Sequence, residues 1–324
     1  MSHTILLTGA AGYIGPIATE ILIQEGYTVI ALDDLSTGHK EALFDSVPFY
    51  NTSFGNTDEL KNIFSKNKID VVLHFAGAAL VAESMKNPFK YFNINFCQAQ
   101  NLLDVMILFN VKKIVFSSTC AVYGIPKPEE IPIKENVKTK PINPYGESKL
   151  LFEKALEWYK KSAGLDYIAL RYFNVAGASK NRGERHNPET HLIPLVIKTV
   201  KNKDYELNVY GNDYPTKDGT TVRDYVHVVD LIYAHMLAIK ALINNKKHQN
   251  IYNIGYGHGY SVLEIVNSAQ EVFKTKIPYK ISNKRQGDPP ILIADSSKIK
   301  EDLNWIPKFN DINEMITSAS KFIQ

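Results

Sequence analysis

The chain is poor in cysteine, in charge runs of one sign and in long apolar stretches, and each shortage removes a class of protein. Its only two cysteines, Cys97 and Cys120, cannot staple a chain of 324 residues. It contains no C-x-x-C pair, Cys/His cluster or H-x-x-x-H pair, so no metal is expected. No apolar run reaches the roughly 18 residues of a membrane span. The N-terminus lacks the charged start and small-residue cleavage site of a signal peptide, so a soluble, cytoplasmic protein is expected. Lys and Arg number 37 against 34 Asp and Glu, a net charge of +3, and the basic residues are scattered among the acidic ones. Nucleic acid and membrane surfaces are therefore not expected as partners. Internal repeats, low-complexity segments and an obvious linker are also missing. What remains is average for a globular protein, 44% apolar and 22% charged, long enough for one large domain or two smaller ones.

The first half alternates two patterns. Thr4–Leu7, Tyr27–Leu32, Val71–Phe75, Lys113–Phe116 and Tyr167–Leu170 are short apolar runs that read as strands. Residues 13–25, 91–109 and 145–163 carry apolar side chains at helical spacing. Continuous apolar strands separated by helices predict an α/β fold with a doubly wound parallel sheet covered on both faces. The second half is less regular. Residues 178–190 read as a loop and 206–226 as turns and short strands, with helices near 228–244, 261–274 and 311–323. The expected organisation is a dinucleotide-binding domain over 1–175, to which later segments, about 225–255, return. A smaller C-terminal α/β substrate lobe fills most of 176–324.

Gly9, Gly12 and Gly15 form a G-x-x-G-x-x-G after the first strand and at a helix entry. Glycines allow the tight turn and let the backbone approach a pyrophosphate, which the helix N-terminus attracts. Pro16 falls in the first turn, where its missing N–H costs little. Asp33 follows Gly15 by 33 − 15 = 18 residues, at the end of the second strand. A carboxylate there accepts bonds from ribose hydroxyls and repels a 2′-phosphate, which favours NAD over NADP. The plainer reading is a turn or helix cap by Asp33 or Asp34.

Tyr145 and Lys149 form a Y-x-x-x-K behind Pro141 and Pro144, and i, i+4 spacing puts both on one helix face. Phenol is a poor base near its usual pKa of about 10, but a neighbouring ammonium and an oxidised nicotinamide would favour the phenolate. The pair then removes a proton from a substrate hydroxyl. The plainer reading is an ordinary helix start. The hydroxyl cluster Ser117–Thr119 ends the fourth strand, on the edge where open parallel sheets bind ligands.

With these motifs in place, the chain resembles the extended short-chain dehydrogenase/reductases, and among them the UDP-glucose 4-epimerase family, over essentially its whole length. Thr8–Gly15, His74–Gly77, Ser117–Gly124 and Tyr145–Lys149 carry the superfamily pattern. Leu170–Gly177, Tyr210–Gly219, Val222–Asp230, Tyr252–Gly255 and Arg285–Asp288 are closer to the 4-epimerases. The resemblance implies a bound NAD, a UDP-hexose substrate, a 4-keto intermediate and a homodimer built through helices 91–109 and 145–163. It implies catalysis by Tyr145, Lys149 and Thr119. Tyr13, Ile14, Asn56, Phe75, Ala76, Gly77, Asn95, Ser117, Tyr172 and Phe173 join the three glycines, Asp33, Tyr145 and Lys149 on the cofactor. Thr119, Asn174, His191, Leu192, Tyr210, Arg223, Arg285, Asp288 and Leu292 are implied at the substrate, with the two arginines on its diphosphate.

The chain departs from the family in four places. Asn56 stands where Asp is common on the adenine, and Ala78–Val81 where some members carry Lys. His191 replaces the usual Asn. Leu292 replaces a large Tyr that narrows the sugar pocket in some members, which implies that N-acetylated UDP-hexosamines are also accepted. The rivals are a 4,6-dehydratase, a glucuronate-type relative, a dehydrogenase that releases its cofactor, and a non-catalytic NAD sensor. Related dehydratases place Asp-Glu after the Thr, where this chain has Cys120 and Ala121.

Overall fold

A computed structural model describes residues 2–186, 188–202, 204–285 and 287–323. The first half runs β1 Thr4–Thr8, α1 Ile14–Gln24, β2 Thr28–Asp33, β3 Phe49–Asn51, α2 Thr57–Lys66, β4 Val71–His74, α3 Val81–Lys86, α4 Pro88–Phe92, α5 Ala99–Leu108, β5 Lys113–Thr119, α6 Pro144–Ala163 and β6 Asp166–Tyr172. The second runs β7 Asn174–Ala176, α7 Leu192–Lys201, β8 Leu207–Tyr210, β9 Val222–Arg223, β10 Tyr225–His227, α8 Val228–Ile243, β11 Ile251–Ile254, β12 Tyr260–Ser261, α9 Val262–Phe273, β13 Tyr279–Ser282, β14 Ile291–Leu292, α10 Ser297–Leu303 and α11 Ile312–Ser320.

Seven parallel strands form the central sheet in the order β11-β6-β5-β4-β1-β2-β3. Side chains alternate along each strand, which is why the strands are apolar throughout. Ile5, Leu7, Val29 and Ala31 enter a core under α1 and α8, whereas Leu6, Ile30 and Leu32 enter one under α2, α5 and α6. This is the expected doubly wound, Rossmann-type α/β architecture. The strand order reverses at β1, with β2 on one side and β4 on the other, so the carboxyl ends open a crevice there. Gly9, Asp33, Phe75 and Thr119 all sit on that edge.

The second half contributes to two bodies. α8 and β11 complete the sheet, and α10 packs under it, with Ile299, Leu303 and Trp305 in the same core as β1. The small pairs β7·β10, β8·β13 and β12-β9-β14 join α7, α9 and α11 around a separate core that includes Ile193, Val209, Ile265 and Ile316. Several segments were not read in the sequence as helix or strand, among them α2, α3, α7, α10, β3, β7, β13 and β14. The start of α2 was legible, because Asn56 caps it and Asp58 and Glu59 lie in its first turn. α4 and α5 form one rod through a π-helical turn at Asn93–Gln98. Among the described residues no helix is long and apolar enough to cross a membrane.

A buried polar network fastens α6 to the sheet. Arg171 of β6 donates through Nε to Glu153 of α6 at 2.9 Å and through Nη1 to the Tyr123 hydroxyl at 3.0 Å. Glu153 also accepts from the Ser118 hydroxyl of β5, and Tyr123 donates to Asn253 of β11 at 2.8 Å. Each buried polar group finds a partner, so the helix carrying Tyr145 is held to β5 and β6 at little desolvation cost.

Candidate active site

The glycine-rich turn is built for close approach. Gly9 has φ +75°, and its N–H reaches Leu32 O at 2.9 Å. A Cβ on Gly15 would lie 2.1 Å from Gly9 O, so the helix can start there only with glycine. Gly12 differs. A Cβ on it would meet no atom nearer than Gly9 O at 3.7 Å, so it faces open space where a pyrophosphate can run against the backbone. That cradle, beside a helix N-terminus, fits a dinucleotide.

Asp33 serves the turn as well as any ligand. Its Oδ2 accepts from Ala11 N at 2.9 Å and its Oδ1 from Leu35 N at 2.8 Å. Burial raises its pKa, and these two N–H groups act against that rise. Each oxygen keeps a lone pair for a ribose hydroxyl. Tyr13 turns its phenol to Gly177 O at 2.5 Å, while Ile14 packs against the α1 core. Asn56, expected at the adenine, also has a role in the protein itself, and its Nδ2 is left for a base. It is exposed, and its Oδ1 accepts from Glu59 N at 3.2 Å as the cap of α2.

The segment after β4 is held from two sides. Phe75 packs against His235, with ring centroids 4.8 Å apart, and Ala76 N lies 3.4 Å from the Thr8 hydroxyl. Asn95 lies in the π-helical turn, which aims its amide inward. It accepts from Ala78 N at 2.8 Å and donates to Ala78 O at 2.9 Å and Ser148 Oγ at 3.0 Å. Its role in the protein itself is thus to lock the Gly77–Ala78 backbone to α6.

α6 delivers Tyr145 and Lys149 to the end of β5. A Cβ on Gly146 would lie 2.6 Å from Ala121 O, so only glycine allows this approach. Lys149 is 5% exposed; its Nζ donates to Ser117 O at 3.1 Å and sits 4.9 Å from the Phe116 ring centre. Burial lowers its pKa to about 8. Tyr145 meets the Tyr91 ring edge-on at 6.3 Å. Burial, then Tyr172, push its phenol up, while a hydrogen bond with Thr119 acts the other way. The expected lowering of the Tyr145 pKa is therefore not supplied by the protein alone, because Lys149 does not offset burial. Thr119 also accepts from Ala121 N at 3.1 Å. Ser117 Oγ lies 3.2 Å from His235 Nε2, Tyr172 lies over the same ring at 6.2 Å, and Phe173 is buried beside Cys120.

Across the crevice, Arg223 pairs with Asp288 and donates to Val222 O at 2.7 Å. Leu292 is in register with Arg223 and is buried beside Cys120 and Phe173. The Arg285 guanidinium stacks 3.9 Å over the Tyr210 ring. Asn174 N donates to Asp224 O at 2.9 Å. Leu192 opens α7, but His191 before it is exposed and bonded to Glu189 at 2.8 Å rather than to this group.

Several residues that build the site escaped the sequence reading. His74, held neutral by burial at about 3, bonds the Thr8 hydroxyl at 2.7 Å. Asp224 accepts from Tyr256 N, Gly257 N and Ala294 N, and burial pushes it up to about 6. Asp230 accepts from Tyr256 Oη, Lys308 N and Phe309 N. The signal available was a carboxylate inside an otherwise apolar run, as at Tyr225–Ile232.

A family model described as the NAD dependent epimerase/dehydratase family matches residues 5–255. The UDP-glucose 4-epimerase of Lacticaseibacillus casei is 47% identical over 318 residues, 98% of this chain and 95% of its own. The UDP-glucose 4-epimerase from Bifidobacterium longum in complex with NAD+ and UDP superposes with a TM-score of 0.93 at 38% identity, covering 98% of this chain and 97% of that one. The UDP-Glc/GlcNAc 4-epimerase from Campylobacter jejuni gives a TM-score of 0.85 at 34% identity, covering 99% of this chain and 98% of that one.

The open space over Gly12 gives a direct test. Gly12→Ala is expected to weaken NAD binding at least about tenfold, about 1.4 kcal/mol, with the melting temperature of the ligand-free protein unchanged. Gly15→Ala is expected to lower that melting temperature instead. Calorimetric titration and thermal unfolding separate the two, and unchanged NAD affinity in Gly12→Ala would remove the cradle reading.

Proposed function

The chain belongs to the NAD dependent epimerase/dehydratase family, and on that premise we propose that it inverts carbon 4 of UDP-hexoses, interconverting UDP-glucose and UDP-galactose. The observation that carries this reading is the meeting of Thr119, Tyr145 and Lys149 at the sheet's carboxyl edge, facing Arg223 and Leu292. The sheet body, 1–175 with 225–255, holds NAD, and the lobe over most of 176–324 holds the UDP-sugar. The chain works in the cytoplasm, where its free thiols Cys97 and Cys120 stay reduced.

A bound NAD would supply the hydride acceptor and donor for carbon 4, and its oxidised ring would favour the Tyr145 phenolate. Tyr145 accepts the proton of the sugar 4-hydroxyl and later gives it back. Thr119 holds the 4-oxygen against Tyr145. Lys149 holds the ribose on the nicotinamide side and, protonated below about 8, lends positive charge to the phenolate. Arg223 and Arg285 take the diphosphate, for which a guanidinium fork is suited. Asp288, paired with Arg223, is left to reach the uridine ribose. Asn174, Leu192 and Tyr210 line the approach of the nucleotide sugar, whereas His191, expected there, is turned to Glu189.

Elimination of water from the sugar is disfavoured, because no carboxyl follows Thr119. Cys120 is buried and its thiol is pushed up to about 12, so it does not serve as an acid–base group at neutral pH. Tyr145→Phe is expected to cut conversion of UDP-galactose about 10²- to 10⁴-fold while NAD remains bound, as read by product analysis and cofactor absorbance. Unchanged conversion would remove Tyr145 as the base, no conversion by the wild type would return the protein to the sensor reading, and net reduction of free NAD would return it to the dehydrogenase reading.

The sugar pocket is roomier than one closed by tyrosine at 292. The Campylobacter jejuni relative is named for both UDP-Glc and UDP-GlcNAc. UDP-N-acetylglucosamine is therefore a second substrate, expected to give UDP-N-acetylgalactosamine with the purified enzyme; no product at high enzyme concentration refutes this.

Phe89, Leu108 and Trp158 are 77%, 65% and 69% exposed on α4, α5 and α6. Large apolar side chains so exposed suit a helix-to-helix contact with a second copy. Sedimentation is expected to give twice the chain mass, and Trp158→Glu to shift it toward one; a monomeric wild type rules the contact out.

A further inference from the structure

The loop between β7 and α7 gathers four potential ligands that the proposed mechanism does not use. Glu184, His186, Glu189 and His191 each offer one donor atom, and these atoms all lie within 4.8 Å of one another. Glu184 is buried, His186 and Glu189 are half-buried, and His191 is exposed. The imidazole rings of His186 and His191 stand 5.5 Å apart. Because the four lie on a loop, they have no helical H-x-x-x-H spacing, and no metal was legible from the residues alone.

Each carboxylate is seated by its own loop, Glu184 Oε1 accepting from Arg185 N and His186 N and Glu189 Oε1 from Thr190 N and His191 N, and each also meets a ring. His191 Nδ1 is 2.8 Å from Glu189 Oε1, and His186 Nδ1 is 2.5 Å from Glu184 Oε1. Yet His186 Nδ1 is shut off from solvent and makes no hydrogen bond of acceptable geometry among the described residues. Glu184 and Glu189 each set a carboxylate oxygen against one of the two rings. Two carboxylates thus demand positive charge at this spot. One divalent cation between two imidazoles and two carboxylates supplies it.

We propose that Glu184, His186, Glu189 and His191 form a four-coordinate site for a first-row divalent cation, zinc above all, that fastens the substrate lobe to the dinucleotide turn. Two imidazoles with two carboxylates suit tetrahedral zinc, whose ligand atoms stand about 3.3 Å apart, so the 2.5 and 2.8 Å contacts open and the separations of up to 4.8 Å close as the ion enters. The loop is already seated on the cofactor side. Tyr13 of the glycine-rich turn places its ring edge 6.5 Å from the His186 ring and donates to Gly177 O. His39, past β2, lies 2.7 Å from Arg185 O, and Arg182 stacks 4.3 Å over Phe44. A cation here clamps the loop against both segments.

The test uses the full chain, stripped with a chelator and dialysed against zinc or cobalt. Elemental analysis is expected to find about one zinc per chain, and cobalt to give the intense visible bands of a four-coordinate site. A Glu184→Gln/His186→Gln variant with the wild-type circular dichroism spectrum is expected to bind zinc at least about a hundredfold more weakly; if that variant does not fold, His186→Asn alone takes its place. Zinc is also expected to raise the melting temperature of the wild type and not of the variant. A wild type that binds no zinc, or binding that persists in the variant or vanishes in Cys97→Ser, overturns the proposal.

Discussion

Everything at the crevice depends on how closely the first turn of α6 approaches the end of β5. Gly146 lets the helix backbone ride against Ala121, where any side chain would collide with a carbonyl oxygen. One turn further along, Lys149 bonds Ser117 O, and beyond it Glu153 takes Ser118 and Arg171. Three successive contacts on one helix face thus set the distance between a phenol, an ammonium and a strand-end hydroxyl. Breaking the inner pair would leave a buried charge without a partner, so the geometry resists drift.

The same closeness sets the electrostatics. Burial dominates nearly every titrating group at the edge, keeping His74 and His235 neutral at about 3 and about 4 and pushing Tyr172 up to about 12. Lys149 is the one cation left in this wall among the described residues, and burial leaves it loosely protonated near pH 8. In surroundings so short of charge, any charge brought by cofactor or substrate acts at low dielectric and weighs heavily on Tyr145. The opposite wall is polar, with the Arg223–Asp288 pair and Arg285 stacked on Tyr210. An anion entering there meets guanidinium groups already held in place.

Two buried aspartates join the walls. Asp224 gathers three backbone N–H groups from the 256–257 turn and Ala294, next to Arg223, and Asp230 gathers those of Lys308 and Phe309. Segments far apart in the chain are thereby fixed against the sheet body. Carboxylates at such positions serve the backbone rather than the substrate, although they sit inside the same motifs as the proposed ligands.

The sequence by itself determined the layers and the motif edges. Apolar runs of strand length between helical repeats require a sheet covered on both faces, and Gly9, Gly12, Gly15 and the Tyr145–Lys149 spacing carry their geometry in local backbone rules. Only the tertiary structure decided what the polar side chains do. Asn56 caps a helix as well as standing at a ligand position; Asn95 braces Ala78; Arg223 and Asp288, 65 residues apart, are partners. The Glu184–His191 cluster emerges from a loop with no periodicity to betray it. The reason is physical: periodicity and turn chemistry act over a few residues, whereas a buried polar group takes whichever partner the folded chain brings within about 3 Å of it.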